Sequence, residues 1–164
     1  MTKSEIETKI NDWLQEEQQT VTKKTQEGTE FIFKIDNVVG TKFTVNIVKL
    51  KDRDLIQVIF AIIVKGEIKK ELLKKETKKT SLISEIQQNF LRKGVQYSWV
   101  PNLEEITQIQ IMDSLYSSEI TKTQLFNSIR VVKDTGVLTL LAINKMVKTD
   151  STEGATSNTQ PGVQ

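Results

Sequence analysis

The sequence predicts an α+β fold, an antiparallel sheet of five to six strands packed with helices in the order α-β-β-β-α-(α)-β-β-α. Three observations carry that prediction. Strand-like alternation comes in two groups, three runs and then two, whereas a parallel α/β chain would interleave strands and helices singly. The links within the first group are too short for crossovers, so neighbouring strands must run antiparallel. Helical periodicity is confined to the two ends and the middle of the chain, where amphipathic stripes carry recognisable caps.

Taken in order, residues 4–18 form the first helix. Ser4 and Glu7 have capping-box spacing, and Ile6, Ile10, Trp13 and Leu14 fall on one stripe. Val21 marks a short strand. Phe31, Phe33 and Ile35 alternate with Glu30, Ile32 and Lys34, and a turn follows over Asp36–Gly40. Phe43, Val45 and Ile47 make the next strand, closed by a charged turn at Asp52–Asp54.

Leu55–Val64 is apolar at both parities except Gln57, which predicts a central strand covered on both faces. After Gly66, two helical pieces are predicted, near 67–76 (Ile68, Leu72, Leu73) and 81–93 (Leu82, Ile83, Ile86, Phe90, Leu91). Thr80 or Ser81 caps the second piece, and Gly94 suits its left-handed C′ position. Val95, Tyr97 and Trp99, then Thr107, Ile109 and Ile111, supply two more strands.

The last helix opens with a second capping box, Thr121 and Gln124, and its stripe runs through Leu125, Ile129, Val132, Gly136, Leu140, Ile143 and Val147 to Lys148. At about 1.5 Å per residue it extends roughly 40 Å, so it should overhang the sheet, bend at Gly136 or run into a partner. Its second half, with Val137, Leu138, Leu140, Leu141 and Ile143, is apolar nearly all round, which predicts burial on more than one side. Residues 1–148 thus form one α+β domain. Residues 149–164 are rich in Ser, Thr, Gly and Asn and are expected to be a disordered tail.

Composition narrows the chemistry. The 164 residues contain neither cysteine nor histidine. Disulfides, sulfur-based metal sites, Ser-His-Asp or Cys-His catalysis and histidine pH switching are therefore all excluded. Net charge is +2, but the excess is local: Lys65–Lys79 holds seven lysines against three glutamates. The first nine residues lack the apolar core of a secretory signal, and the longest apolar run has ten residues, where a spanning helix needs about 20. A cytoplasmic protein without membrane contact is expected. No Gly-rich phosphate loop occurs, and no cofactor is implied.

The element order and several local strings resemble an archaeal family of uncharacterised proteins whose fold is similar to type III secretion chaperones. The strings are Ile10 with Trp13-Leu14 and Glu16-Glu17, Phe90-Leu91-Arg92 with Gly94-Val95, and Thr121-Lys122 through Phe126, Ile129, Val132 and Leu140-Leu141. The resemblance covers residues 5–147 and departs from the pattern at Gly136 and in the lysine-rich segment. It implies no catalytic motif. Chaperones of this fold are typically homodimers that hold extended segments of client proteins, so a homodimer with a protein client is what the resemblance implies.

The candidate sites follow. Leu138 and Leu141, in the distal half of the last helix, are candidates for self-association. Tyr97 and Trp99 have amphipathic rings suited to an interface, or else to a core face. Lys69, Lys70, Lys74 and Lys75 give an alternative, a nucleic-acid-associated module; against it, the segment has no aromatic or arginine, and Glu71 with Lys75 suits a self-paired surface. Asp52 with Asp54, and Glu104 with Glu105, are carboxylate pairs that could serve a hard metal or acid–base chemistry, or simply charge a turn. The preferred expectation is a non-enzymatic, chaperone-like protein-interaction domain, from the resemblance, the absence of catalytic groups and the surplus of apolar area; the central strand's second face is either covered by this chain's own helices or left as an apolar strip for a subunit or client.

Overall fold

The strands assemble into one antiparallel sheet of six, with every described helix on the same side of it. The computed structural model describes residues 3–36, 43–64, 66, 69, 76–102 and 105–153, with backbone alone for 3–4, 76–79 and 146–153. Its elements are α1 (Lys3–Glu16), β1 (Thr20–Lys24), β2 (Thr29–Asp36), β3 (Val45–Leu50), β4 (Leu55–Ile63), α2 (Glu76–Lys93), β5 (Gln96–Val100), β6 (Gln108–Tyr116) and α3 (Lys122–Glu153). The strand order is β1-β2-β3-β4-β6-β5. The first four strands form a meander. The β5–β6 hairpin then returns so that β6 pairs with β4 along nine residues, from Leu55↔Tyr116 to Ile63↔Gln108. Both edges of β4 are thereby bonded, and its predicted central position holds.

Because side chains alternate along a strand, this register sorts every strand residue onto one of two faces. The first face carries Phe31, Phe33 and Ile35, then Val45 and Ile47, then Ile56, Val58, Phe60 and Ile62, then Ile109 and Ile111. All are buried, and they form one cluster with Ile6, Ile10 and Leu14 of α1, Leu82, Ile86 and Phe90 of α2, and Leu125, Ile129, Val132 and Ile143 of α3.

The caps explain the helix ends. Thr121 and Gln124 form the reciprocal box: the Thr121 N–H donates to Gln124 Oε1 at 2.9 Å, and the Gln124 N–H donates to Thr121 Oγ1 at 3.2 Å. At the end of α2, Gly94 has φ +67°, its N–H donates to Leu91 O, and the Val95 N–H donates to Phe90 O. That pair of bonds is a Schellman motif, which requires a left-handed residue at this position.

Four local expectations change. The first helix starts at Lys3, ahead of the expected Ser4 cap, and the Glu7 carboxylate ion-pairs with Lys23 of β1. Thr80 and Ser81 lie inside α2, which begins at Glu76, while most of the expected 67–76 piece lies outside the described residues. Leu91, assigned to the buried stripe of that helix, is exposed. Strand β6 continues five residues past Ile111, because polar Asp113 and Ser114 fall at its far end and hide its periodicity.

The long helix departs most from expectation. It is continuous from Lys122 to Glu153, five residues beyond Lys148, with no break at Gly136. It is buried along a single stripe, not all round: Leu125, Ser128, Ile129, Val132, Thr135, Gly136, Thr139, Ala142 and Ile143. Half of that stripe is small or polar because the helix lies very close to the sheet. A Cβ built at Gly136 would stand 2.6 Å from the Phe60 ring, so only glycine fits there. Thr135 and Thr139 are fully buried and donate their hydroxyl protons to the carbonyls of Val131 and Thr135, one turn back.

Candidate functional site

The second face of the sheet has no described helix packed over it. On β4 it presents Leu55, Gln57, Ile59, Ala61 and Ile63, opposite Tyr116, Ser114, Met112, Gln110 and Gln108 of β6. On the β3 side it continues through Val48 and Asn46 to Ile32 and Lys34 of β2. None of these residues belongs to the cluster beneath the helices. The face is not uniformly open: Ile32 and Val48 are buried, whereas Ile63 is 73% exposed and Tyr116 66%. Among the described residues, the coverage of β4 on both faces that its apolar run predicts is not seen at Ala61 and Ile63, which are exposed, and the three described helices pack on the first face.

The chemistry of the open face is graded. Its centre is aliphatic. Toward β5 it is polar but neutral, with Ser98 Oγ 3.4 Å from Gln110 Oε1 and Ser114 Oγ 3.4 Å from Gln96 Oε1. Toward β1 it is charged, and there Lys34 bridges Asp36 at 2.7 Å. That bond and a hydroxyl bond from Thr44 hold the Asp36 carboxyl below its ordinary range. An apolar centre inside a polar rim is how protein-binding surfaces are commonly arranged.

The residues singled out in the sequence fall elsewhere. Tyr97 and Trp99 lie on the first face, partly buried beside α2. Their rings stand 4.6 Å and 6.4 Å from that of Phe90 and meet each other edge to face at 5.9 Å. They complete the core's margin. Leu138 and Leu141 point away from the buried stripe of α3 and are 39% and 60% exposed. They are two leucines on an otherwise mixed helix surface and do not belong to the sheet face. Lys69 donates to the Glu105 carbonyl at 3.5 Å, and Lys70, Lys74 and Lys75 lie outside the described residues.

The carboxylate pairs serve loops. Asp54 accepts hydrogen bonds from the Ser117 and Ser118 hydroxyls and, at 2.9 Å, from the Ser118 N–H. These bonds hold its carboxyl below the ordinary range and tie the β3–β4 turn to the start of the loop before α3. Asp52 sits in the same turn with φ +56°. The Glu105 N–H donates to Asn102 Oδ1 at 2.9 Å, and Glu104 lies outside the described residues.

Lys49, which drew no attention in the sequence, is nearly fully buried. Its ammonium donates to the carbonyls of Leu50 and Arg53 and lies 3.9 Å from Glu30, so it clamps the same turn. Its placement at a first-face position of β3 was the available signal. A cleft of about 300 Å³ between α1 and β1 is lined by Glu7, Thr8, Asn11, Val21, Lys23 and Phe33, and two of those residues, Glu7 and Lys23, are spent on each other. Among the described residues no helix is long and apolar enough to cross a membrane.

Comparison with known proteins places the chain among uncharacterised relatives. A family model described as an uncharacterised conserved protein, DUF2299, matches residues 6–143. The crystal structure of an uncharacterised protein from Methanothermobacter thermautotrophicus is similar at TM-score 0.75 and 18% identity, over 85% of this chain and 97% of that one. At that identity the likeness is one of fold. No curated protein matches the chain.

Proposed function

We propose that this chain, which belongs to the DUF2299 family of uncharacterised conserved proteins, is a non-enzymatic protein-interaction domain that docks another protein on the open face of its sheet. The observation that carries this reading is the exposure of Ala61 and Ile63 on the central strand, beside Ile59 and Met112, with no described helix over them. Antiparallel sheets commonly wet one face, but that face is then polar along its central strands. Here the central strand offers four apolar side chains out of five.

The resemblance to secretion chaperones adds a form for this activity: a cytoplasmic homodimer that holds an apolar, extended segment of a client. Shared fold alone is a weak warrant for shared function, so the surface itself carries the weight. A non-enzymatic role is supported by the side chains with catalytic potential, since Asp54, Asp36 and Lys49 are each committed to hydrogen bonds that secure a turn or an edge.

The test is binding of a permanently unfolded protein, such as reduced and carboxymethylated lactalbumin, measured by fluorescence anisotropy. The native chain should bind it. The double variant Ala61→Lys/Ile63→Lys should lose binding while keeping its circular dichroism, and Leu141→Lys should bind as the native chain does. Loss of binding in Leu141→Lys alone would move the site to the helical side and defeat the proposal.

A further inference from the structure

We propose that the cleft between α1 and β1 binds a small zwitterion, an α-amino acid with an apolar side chain, holding its carboxylate on Lys23 and its ammonium on Glu7. The site is independent of the open face, because it lies on the other side of the sheet. Its walls follow from the register. Val21 and Lys23 stand on the first face of β1, opposite Ile35 and Phe33 of β2, and β1 is an edge strand. Helix α1 turns Ile6, Ile10 and Leu14 into the core and presents Glu7, Thr8 and Asn11 to the cleft. Glu7 and Asn11 are one turn apart and so stand in line along the helix. The space left between helix and strand is about 300 Å³, with Val21 and Phe33 as its apolar lining.

Size and charge select the ligand. Small-molecule sites run from about 300 to about 1,000 Å³, and this one, at the low end, suits a ligand of amino-acid size. Glu7 and Lys23 ion-pair across it, with side chains 24% and 53% exposed. A pair this open to water contributes little to stability. It also keeps bonding capacity in reserve, since a carboxylate accepts at two oxygens and an ammonium carries three protons. A zwitterion sets its own charges beside the pair in the opposite sense and closes a ring of alternating charge. Its ammonium donates to Glu7, Lys23 donates to its carboxylate, and Asn11, both donor and acceptor, bonds either group. The ligand's side chain is left for Val21 and Phe33. Other ligand classes meet a mismatch. Glu7 repels an anion, and Lys23 repels a cation. A metal ion would find one carboxylate, and among the described residues no cluster of three metal-binding side chains occurs. A wholly apolar ligand would strip water from both charges and return no hydrogen bond.

Chemical-shift titration of the isotope-labelled full chain with L-leucine tests this. Saturable shifts are expected at the backbone amides of Glu7, Asn11, Val21 and Lys23. N-acetyl-leucine lacks the ammonium and leucine amide lacks the carboxylate. Each should bind at least about tenfold more weakly than leucine, because each forfeits a charge-assisted hydrogen bond. In Glu7→Gln the preference for leucine over N-acetyl-leucine should disappear while the preference over leucine amide remains, and Lys23→Gln should do the reverse. An ion pair that only fastens α1 to β1 would move neither preference. Val21→Trp, a residue suited to an edge strand, should fill the cleft and abolish the shifts with unchanged circular dichroism. The analogues are titrated into the native chain, so that comparison stands even where a variant fails to fold. Leucine shifts that do not saturate or that miss the cleft would overturn the proposal, as would one-charge analogues that bind as tightly as leucine. A folded Val21→Trp variant that binds leucine as the native chain does would overturn it too.

Discussion

The two faces of the sheet come from the same strands, residue by alternate residue, and differ in what lies over them. On the first face Phe31, Ile47, Ile56 and Ile111 are sealed under three helices. On the second, Ile59, Ala61 and Ile63 have comparable hydropathy and no described helix above them. Apolarity on the first face therefore maintains the fold, while on the second Ala61 and Ile63 stay exposed among the described residues, and the proposed docking role rests on them.

The sharpest way to break that contrast is to truncate on both faces and compare. Phe31→Ala, at a fully buried position, should cost about 3–5 kcal/mol by denaturant unfolding. A loss below about 1 kcal/mol would mean the first face is not the core. Next, Gly136→Val should destabilise by about 2–3 kcal/mol through overpacking, since its side chain would enter the Phe60 ring.

Smaller again is the effect at Asp54, whose hydrogen bonds to Ser117 and Ser118 depress its carboxyl pKa in the folded chain. The unfolded chain then binds more protons than the folded one as pH falls through and below the ordinary carboxylate value of 3.8. The stabilisation is therefore complete above that value and lost as pH descends toward the depressed folded value. Thermal melts should show Asp54→Asn less stable at neutral pH and with a flatter acid limb. Thr121→Ala should remove about 1 kcal/mol with the α3 cap. Ile63→Ser, large in hydropathy but on the open face, should change stability by less than about 0.5 kcal/mol.

The order of elements, the centrality of β4 and the caps at Gly94 and Thr121 were readable in the sequence, because each depends on local spacing. The uncovered face was only half readable. Alternation shows that Leu55–Val64 is apolar on both sides, but which side the helices take depends on tertiary packing. The long helix misled for the opposite reason. Its leucines at 138 and 141 face outward, and its buried stripe takes in Ser128, Thr135 and Thr139 beside the expected Gly136, because a helix lying this close to Phe60 needs small residues under it. Hydropathy ranks Ser128, Thr135 and Thr139 as surface, and the internal hydroxyl bonds of the two threonines leave no mark in the periodicity. Tyr97 and Trp99 had two readings in the sequence, and their stacking on Phe90 follows from α2 lying over β5, which no local pattern states.

The central claim is that the open face receives protein, and hydroxyl-radical footprinting tests it most directly. Met112 and Tyr116 report on that face, while Leu91 and Leu141 report on the helical side. With saturating unfolded lactalbumin, labelling of Met112 and Tyr116 should fall severalfold relative to the unmixed protein while Leu91 and Leu141 stay unchanged. Protection of Leu91 and Leu141 with Met112 and Tyr116 still fully labelled would contradict the claim.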